Sequence, residues 1–159
     1  MRHILMVLSD VDESPRTVDF TLNLARKEGA SVTALIVLDD KAAKRMASHL
    51  SDSGFVGDHP SQRVVRAIED EFRNQGERIL HQLKERFAKE GVPFRSELRE
   101  GDFISTCLDV IREQKIDHAV VCGHHVSNLK RILLGSPVDD LLEQISFPVD
   151  VIDDEQKEG

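Results

Sequence analysis

The segment of this chain best suited to chemistry reads Gly123-His124-His125-Val126-Ser127-Asn128-Leu129-Lys130-Arg131-Ile132-Leu133-Leu134-Gly135-Ser136-Pro137. Glycines let a backbone approach an anion closely. A helix starting near Ser136 would add N–H donors and a positive dipole end, so the segment can cradle a phosphate. On spacing alone the residues equally suit a strand end at Gly123, a cap at Ser136 and a proline at the first helical position. Lys130 and Arg131 could lend positive charge to a phosphate or form a solvated pair. A second segment, Ser9 to Ser14, brings Asp10 and Asp12 directly behind an apolar run. Those carboxylates read either as ligand contacts or as solvated loop residues.

Other chemistries find less support. His124 and His125 stand beside Cys122, but adjacent residues on an extended chain point in opposite directions and Cys122 reads as strand core. No tetrahedral metal set follows from them. His3 and His118 fall at strand starts, the wrong end of a parallel sheet for a site. No Gly-x-Ser-x-Gly elbow is present, and Ser136 has no evident base and acid behind it. A response-regulator receiver would use acids such as Asp10 and Asp12. It also needs an acceptor aspartate after the third strand, where Asp102 reads as a helix cap, and a lysine after the fifth, where the chain is acidic until Lys157.

The elements that must hold these segments follow from length and periodicity. At 159 residues the chain makes one ordinary domain that needs no disulfide or structural metal. Lys and Arg number 21 against 29 Asp and Glu, a formal charge of −8 that repels a phosphate backbone and argues against nucleic-acid binding. With 40% hydrophobic and 31% charged residues, the composition is that of a globular protein. Two cysteines make no disulfide framework and suggest a reduced, cytoplasmic setting. No apolar run approaches the ~20 residues of a membrane span, and the N-terminus lacks a signal peptide's apolar core.

Ile4–Leu8, Val32–Leu38 and Ala119–Cys122 are continuous apolar runs, as expected of strands covered on both faces. Phe94–Arg99 and Pro148–Ile152 are strands carrying charge. Ser14-Pro15 reads as an N-cap, and Val18, Thr21, Leu22 and Ala25 mark a helix ended by Gly29. Val64 through Phe87 form a long amphipathic helix in which Gly76 suggests a bend. Ile104, Cys107, Leu108 and Ile111 mark a third helix, and Val138, Leu141, Leu142 and Ile145 a fourth. Residues 39–62 read as a mobile insertion, with a lid over the site as the alternative.

Five strands alternating with four helices predict an α/β fold: one doubly wound, five-stranded parallel sheet with helices on both faces. Apolar strands belong in the middle and charged ones at the edges, which with right-handed crossovers gives the order 3-2-1-4-5. The topological switch point then lies between strands one and four, at whose carboxyl ends ligands bind in such folds. Ser9–Ser14 and Gly123–Ser136 flank that point.

Residues 2–153 resemble the universal stress protein family. The resemblance rests on His3-Ile4-Leu5-Met6-Val7, Gly101-Asp102, Asp117 to Gly123, Asn128 to Ser136, and Phe147-Pro148-Val149. It implies the adenine nucleotide alpha hydrolase-like form of the fold, with a domain over 1–153 and a solvated tail over 154–159. It also implies a cytoplasmic stress-response module that dimerises through its last strand. Val149, Val151 and Ile152 would support such pairing, whereas Asp150 would bring two acids together near a two-fold axis.

Members of the family that bind ATP carry Gly-x2-Gly-x9-Gly-[Ser/Thr] and an aspartate at the end of the first strand. This chain keeps Gly123, Gly135 and Ser136, but Val126 stands in the middle glycine's place and only eight residues separate it from Gly135. Pro137 removes an N–H that could face a phosphate. The family aspartate falls on Ser9, with Asp10 next to it and Asp12 within reach of a ribose hydroxyl if the loop shifts by a residue. Val37 matches a position whose backbone faces adenine. The resemblance thus implies ATP, with Mg, or AMP as ligand, bound by Ser9, Asp10, Asp12, Val37, Gly123, Val126, Gly135 and Ser136. It names no catalytic or metal-binding residue and allows at most slow ATP hydrolysis. The alternative is a member that has lost nucleotide binding and acts through dimerisation and protein partners.

Overall fold

The computed structural model describes residues 2–8, 14–39, 62–122 and 148–152. Within them β1 (His3–Leu8), β2 (Ser31–Leu38), β3 (Phe94–Glu100), β4 (His118–Cys122) and β5 (Val149–Ile152) form one sheet. Its order is β3-β2-β1-β4-β5, as the distribution of charge predicts, and every neighbouring pair is parallel. The central strands are apolar because both their faces are covered. Alternate residues of β1 pack into two cores, Ile4, Met6 and Leu8 into one and Leu5 and Val7 into the other.

The first core lies under α1 (Pro15–Glu28) and α2 (Gln62–Lys89). Thr17, Val18, Thr21, Leu22 and Ala25 are the buried stripe of α1, and Gly29 ends it at φ 62°, donating its N–H to the Ala25 carbonyl. Such a left-handed stop is the conformation glycine takes without penalty. In α2, Gly76 marks no break, and the helix runs unbroken through it. Gly76 is buried where the helix crosses Leu98 and Ile36, and an added Cβ would lie 3.1 Å from Leu98 Cδ1. Close approach to the sheet is therefore its use. Farther along, Phe87 packs on Phe94 with ring centroids 4.8 Å apart. Since Phe94 starts β3 and Leu98 lies near its end, α2 runs antiparallel to the strands. Its first fourteen residues, about 21 Å at 1.5 Å per residue, lead from the carboxyl side of the sheet to Gly76.

The second core lies under α3 (Phe103–Glu113). Its buried face is Phe103, Thr106, Cys107 and Val110, rotated from the stripe read in the sequence. Ile104, Leu108 and Ile111 flank that face, partly buried. Asp102 caps the helix by accepting from the Ser105 N–H at 3.0 Å, as expected.

Both edges carry charge. On β3, Arg99 donates to Glu97 at 3.0 Å and to Glu113 at 2.6 Å, and the hydrogen bond to Glu113 raises the guanidinium above its ordinary pKa. On β5, Asp150 accepts at 2.7 Å from Nε2 of the buried His118. The acid that would oppose its copy across a paired edge thus already has a partner within the chain. The helix expected over Val138–Ile145, residues 40–61 of the expected insertion and the tail over 154–159 lie outside the described residues.

Candidate functional site

Parallel order with β1 in the centre makes the chain turn left to β2 and right to β4, so the carboxyl ends of β1 and β4 diverge into separate connections. That is the switch point, where such sheets leave a crevice. Leu8 ends β1 and Cys122 ends β4, both buried. The register from Ile4↔His118 to Val7↔Val121 brings these two ends level. Beside them, the β1–β2 register finishes at Leu8↔Ile36, so Val37 lies one residue beyond that ladder, paired on its other side with Arg99.

Val37 is the one nucleotide-binding candidate among the described residues. Its side chain is 6% exposed and belongs to the core under α3. A role there falls to its backbone, at the carboxyl end of a strand next to β1. Ser9, Asp10, Asp12, Gly123, Val126, Gly135 and Ser136 lie outside the described residues, as do His124, His125, Lys130 and Arg131. Two of the segments they occupy adjoin Leu8 and Cys122 directly.

Ser14 holds the N-cap position that the sequence assigns it, its carbonyl accepting the Val18 N–H at 3.1 Å, but its hydroxyl plays a different part. Its side chain makes no cap hydrogen bond to α1. The residue takes a left-handed conformation, φ 50° and ψ 56°, and is wholly buried. Ser14 Oγ instead shares a hydrogen bond with Cys122 Sγ at 3.3 Å, joining the entry to α1 with the end of β4. No local pattern announces this pairing, since the partners are 108 residues apart.

On the neighbouring connection, Gly101 follows β3 at φ 143°, a backbone conformation that glycine favours, and donates its N–H to the Leu38 carbonyl at 3.1 Å. Asp102 then caps α3, the role the sequence assigns it.

His3 and His118 sit at the opposite end, where β1 and β4 begin. His3 Nε2 lies 3.1 Å from Thr33 Oγ1, which donates to Gln114 Oε1 at 2.6 Å. Thr33 has one hydroxyl proton, so His3 Nε2 carries the hydrogen of the first contact. This chain of bonds ties β1, β2 and the end of α3 together below the sheet, away from the switch point. Cys107 is buried in the core under α3, and that burial pushes its thiol up to about 12, which removes it from nucleophilic chemistry. Among the described residues no group of three His, Cys, Asp or Glu side chains could hold a metal. A groove of about 160 Å³ between α1 and α2 is lined by Pro15, Val18, Ile79, Gln82, Leu83 and Arg86. Arg86 is engaged there by Asp19 at 2.5 Å.

The Universal stress protein family model matches residues 1–153. The chain belongs to the universal stress protein family. A curated relative, Universal stress protein YxiE of Bacillus subtilis, is 25% identical over 149 residues, covering 94% of this chain and 97% of its own. A universal stress protein family protein of Arabidopsis thaliana, solved with AMP bound, superposes at a TM-score of 0.60 with 16% identity, covering 96% of this chain and 92% of its own. The universal stress protein of Archaeoglobus fulgidus in complex with dAMP superposes at 0.58 with 18% identity, covering 96% of this chain and 97% of its own. The sheet order and these superpositions give this universal stress protein the adenine nucleotide alpha hydrolase-like fold. No described helix of it is long and apolar enough to cross a membrane.

Proposed function

We propose that this universal stress protein is a cytoplasmic stress-response module that binds an adenine nucleotide, AMP or Mg-ATP, at the carboxyl ends of β1, β2 and β4. The observation that carries the reading is the strand order, which sets the ends of β1 and β4 level and side by side at the switch point. Two family relatives of the same fold are described with AMP and dAMP. In this reading the backbone at Val37 lies against adenine, Asp10 or Asp12 serves the ribose, and Gly123, Gly135 and Ser136 serve the phosphates. Mg²⁺ accompanies the triphosphate, and no residue is assigned to catalysis.

A second reading has its own support in Val126 and Pro137. A β-branched residue replaces the middle glycine and a proline removes one N–H donor, both of which weaken a phosphate cradle. A member of that kind would act through protein partners. In both readings the protein is a homodimer paired through β5, the outermost strand on its side of the sheet. The His118–Asp150 pair supports that pairing by occupying the β5 acid.

The test is calorimetry with AMP and with Mg-ATP, after an ultraviolet spectrum of the purified protein. The chain has no Trp and no Tyr, so carried-over nucleotide would dominate its near-ultraviolet absorbance. Bound nucleotide or micromolar affinity is expected, and Gly135→Val should abolish it in a folded protein. No heat at millimolar ligand would refute nucleotide binding and favour the second reading.

A further inference from the structure

Helices α1 and α2 lie side by side over the first core and leave a groove between them. Ion pairs of exposed side chains bridge the two helices, Asp19 to Arg86 at 2.5 Å and Arg26 to Glu90, just past α2, at 3.0 Å. Pro15 and Val18 line the groove from α1, and Ile79, Gln82, Leu83 and Arg86 line it from α2. Helical spacing brings the last four together, since Ile79, Leu83 and Arg86 follow at i, i+4 and i+7. Val18, Ile79 and Leu83 are buried and make an apolar floor, while Gln82 and Arg86 are exposed and make a polar rim.

Floor and rim together define a ligand. The groove measures about 160 Å³. A cavity of about 150 Å³ lined by apolar side chains holds one benzene molecule, so an apolar body of about six carbons fits here. The rim sets the head group. Asp19 meets Nη2 of Arg86 with a single oxygen, and the other N–H groups of that guanidinium have no partner among the described residues. A guanidinium fork with donors to spare matches the two oxygens of a carboxylate. The Asp19–Arg86 pair is exposed and therefore weakly held, so a second carboxylate can join or displace Asp19. A cation of the same shape would be repelled by Arg86.

We propose that the groove between α1 and α2 is a binding site for small monocarboxylates with a compact apolar body, the body resting on Val18, Ile79 and Leu83 and the carboxylate on Arg86. The site is separate from the nucleotide reading and does not depend on it, because none of its lining residues belongs to a strand.

The experiment is titration of the isotope-labelled full chain with benzoate, followed by backbone amide shifts in heteronuclear NMR. Benzylammonium and acetate serve as controls. Benzoate should shift the amides of Val18, Ile79 and Leu83 with a dissociation constant of about 1 mM, within reach of a ligand this small. Acetate lacks the body and benzylammonium reverses the charge, so neither should shift these amides at the same concentrations. Arg86→Gln should weaken benzoate about tenfold, the loss of a charge-assisted contact. Asp19→Asn frees the guanidinium and should strengthen benzoate about threefold. Gln82→Phe sets a ring of its own over the floor and should abolish binding. All three positions are exposed, so the fold should persist, as circular dichroism would check. No response from the wild-type protein at about 20 mM benzoate overturns the proposal. Shifts confined to the strand ends around Leu8, Val37 and Cys122, or equal shifts with acetate, overturn it too. Unchanged binding in Arg86→Gln, or weaker binding in Asp19→Asn, does the same. In each of these outcomes the nucleotide reading stands or falls on its own calorimetry.

Discussion

Replacing Gly76 tests the closest approach between helix and sheet in this fold, and the sign of the effect should depend on the size of the new side chain. An alanine in the middle of α2 gains about 0.8–1.0 kcal/mol of helix propensity over glycine. Against this, its Cβ would lie 3.1 Å from Leu98 Cδ1, inside the ~3.5–4.0 Å at which two carbons attract best. Leu98 sits on the edge strand β3 and is only partly buried, so its methyl can turn aside at a cost of about 0.5 kcal/mol, the low end for an off-rotamer side chain. The contacts to Ile36 at 3.6 Å are ordinary ones. The balance for Gly76→Ala is a gain of about 0.5 kcal/mol.

Gly76→Val meets a different limit. Its γ-methyls would press on Ile36, which is 0% exposed and has no room to move, so overpacking should cost about 1–3 kcal/mol. Urea unfolding by far-ultraviolet circular dichroism suits the measurement, since the chain lacks Trp and Tyr. Loss of more than about 1 kcal/mol in Gly76→Ala would refute the claim that Leu98 yields. A neutral Gly76→Val would refute the close approach itself.

Two further predictions concern the second core. Cys107, with an ordinary thiol value of 9.0 raised by burial to about 12, is protonated in folded and unfolded chains alike below pH 9. Between the two values only the unfolded chain releases its proton, so stability should fall there by about 1.4 kcal/mol per pH unit from this group. Cys107→Ala should flatten the alkaline limb of a stability profile, and an unchanged limb would contradict the burial argument. Asp102→Ala removes the acceptor for the Ser105 N–H and should lower stability by about 1 kcal/mol in the same urea assay. A neutral result would mean that water caps α3 equally well.

The strand order was legible because burial on two faces and burial on one leave different compositions. β1 and β4 admit almost no polar residue, while β3 carries Arg95, Glu97, Arg99 and Glu100. The phase of α3 was harder to read. A helix above a sheet buries whichever arc faces the strands, and Phe103 and Val110 extend the apolar arc of α3 on the side that wins. Periodicity identifies a helix with an apolar side but does not say about which line that side is centred. Gly76 shows the same gap. In sequence it is an isolated helix-weakening residue, and its purpose appears only when Leu98, twenty-two positions later, is brought against it.

The switch point was legible for the same reason as the order, since it follows from topology alone. Its contents were less so. Of the candidates, Val37 acts if at all through its backbone, and a backbone contact leaves the side chain free to be what the core requires, a buried valine. Ser14 illustrates the opposite difficulty. Serine before proline favours an N-cap because an extended residue there aims its hydroxyl at the first-turn amides. Turning that one residue to φ 50° redirects the same hydroxyl to a thiol on another strand, and the helix still begins at Pro15. The local signal for the helix start was therefore correct, and Ser14 holds the cap position through its carbonyl, while its hydroxyl meets Cys122. Helix initiation uses the Ser14 carbonyl, which accepts the Val18 N–H, and not its hydroxyl, so that hydroxyl can meet Cys122 at the end of β4 without cost to the helix.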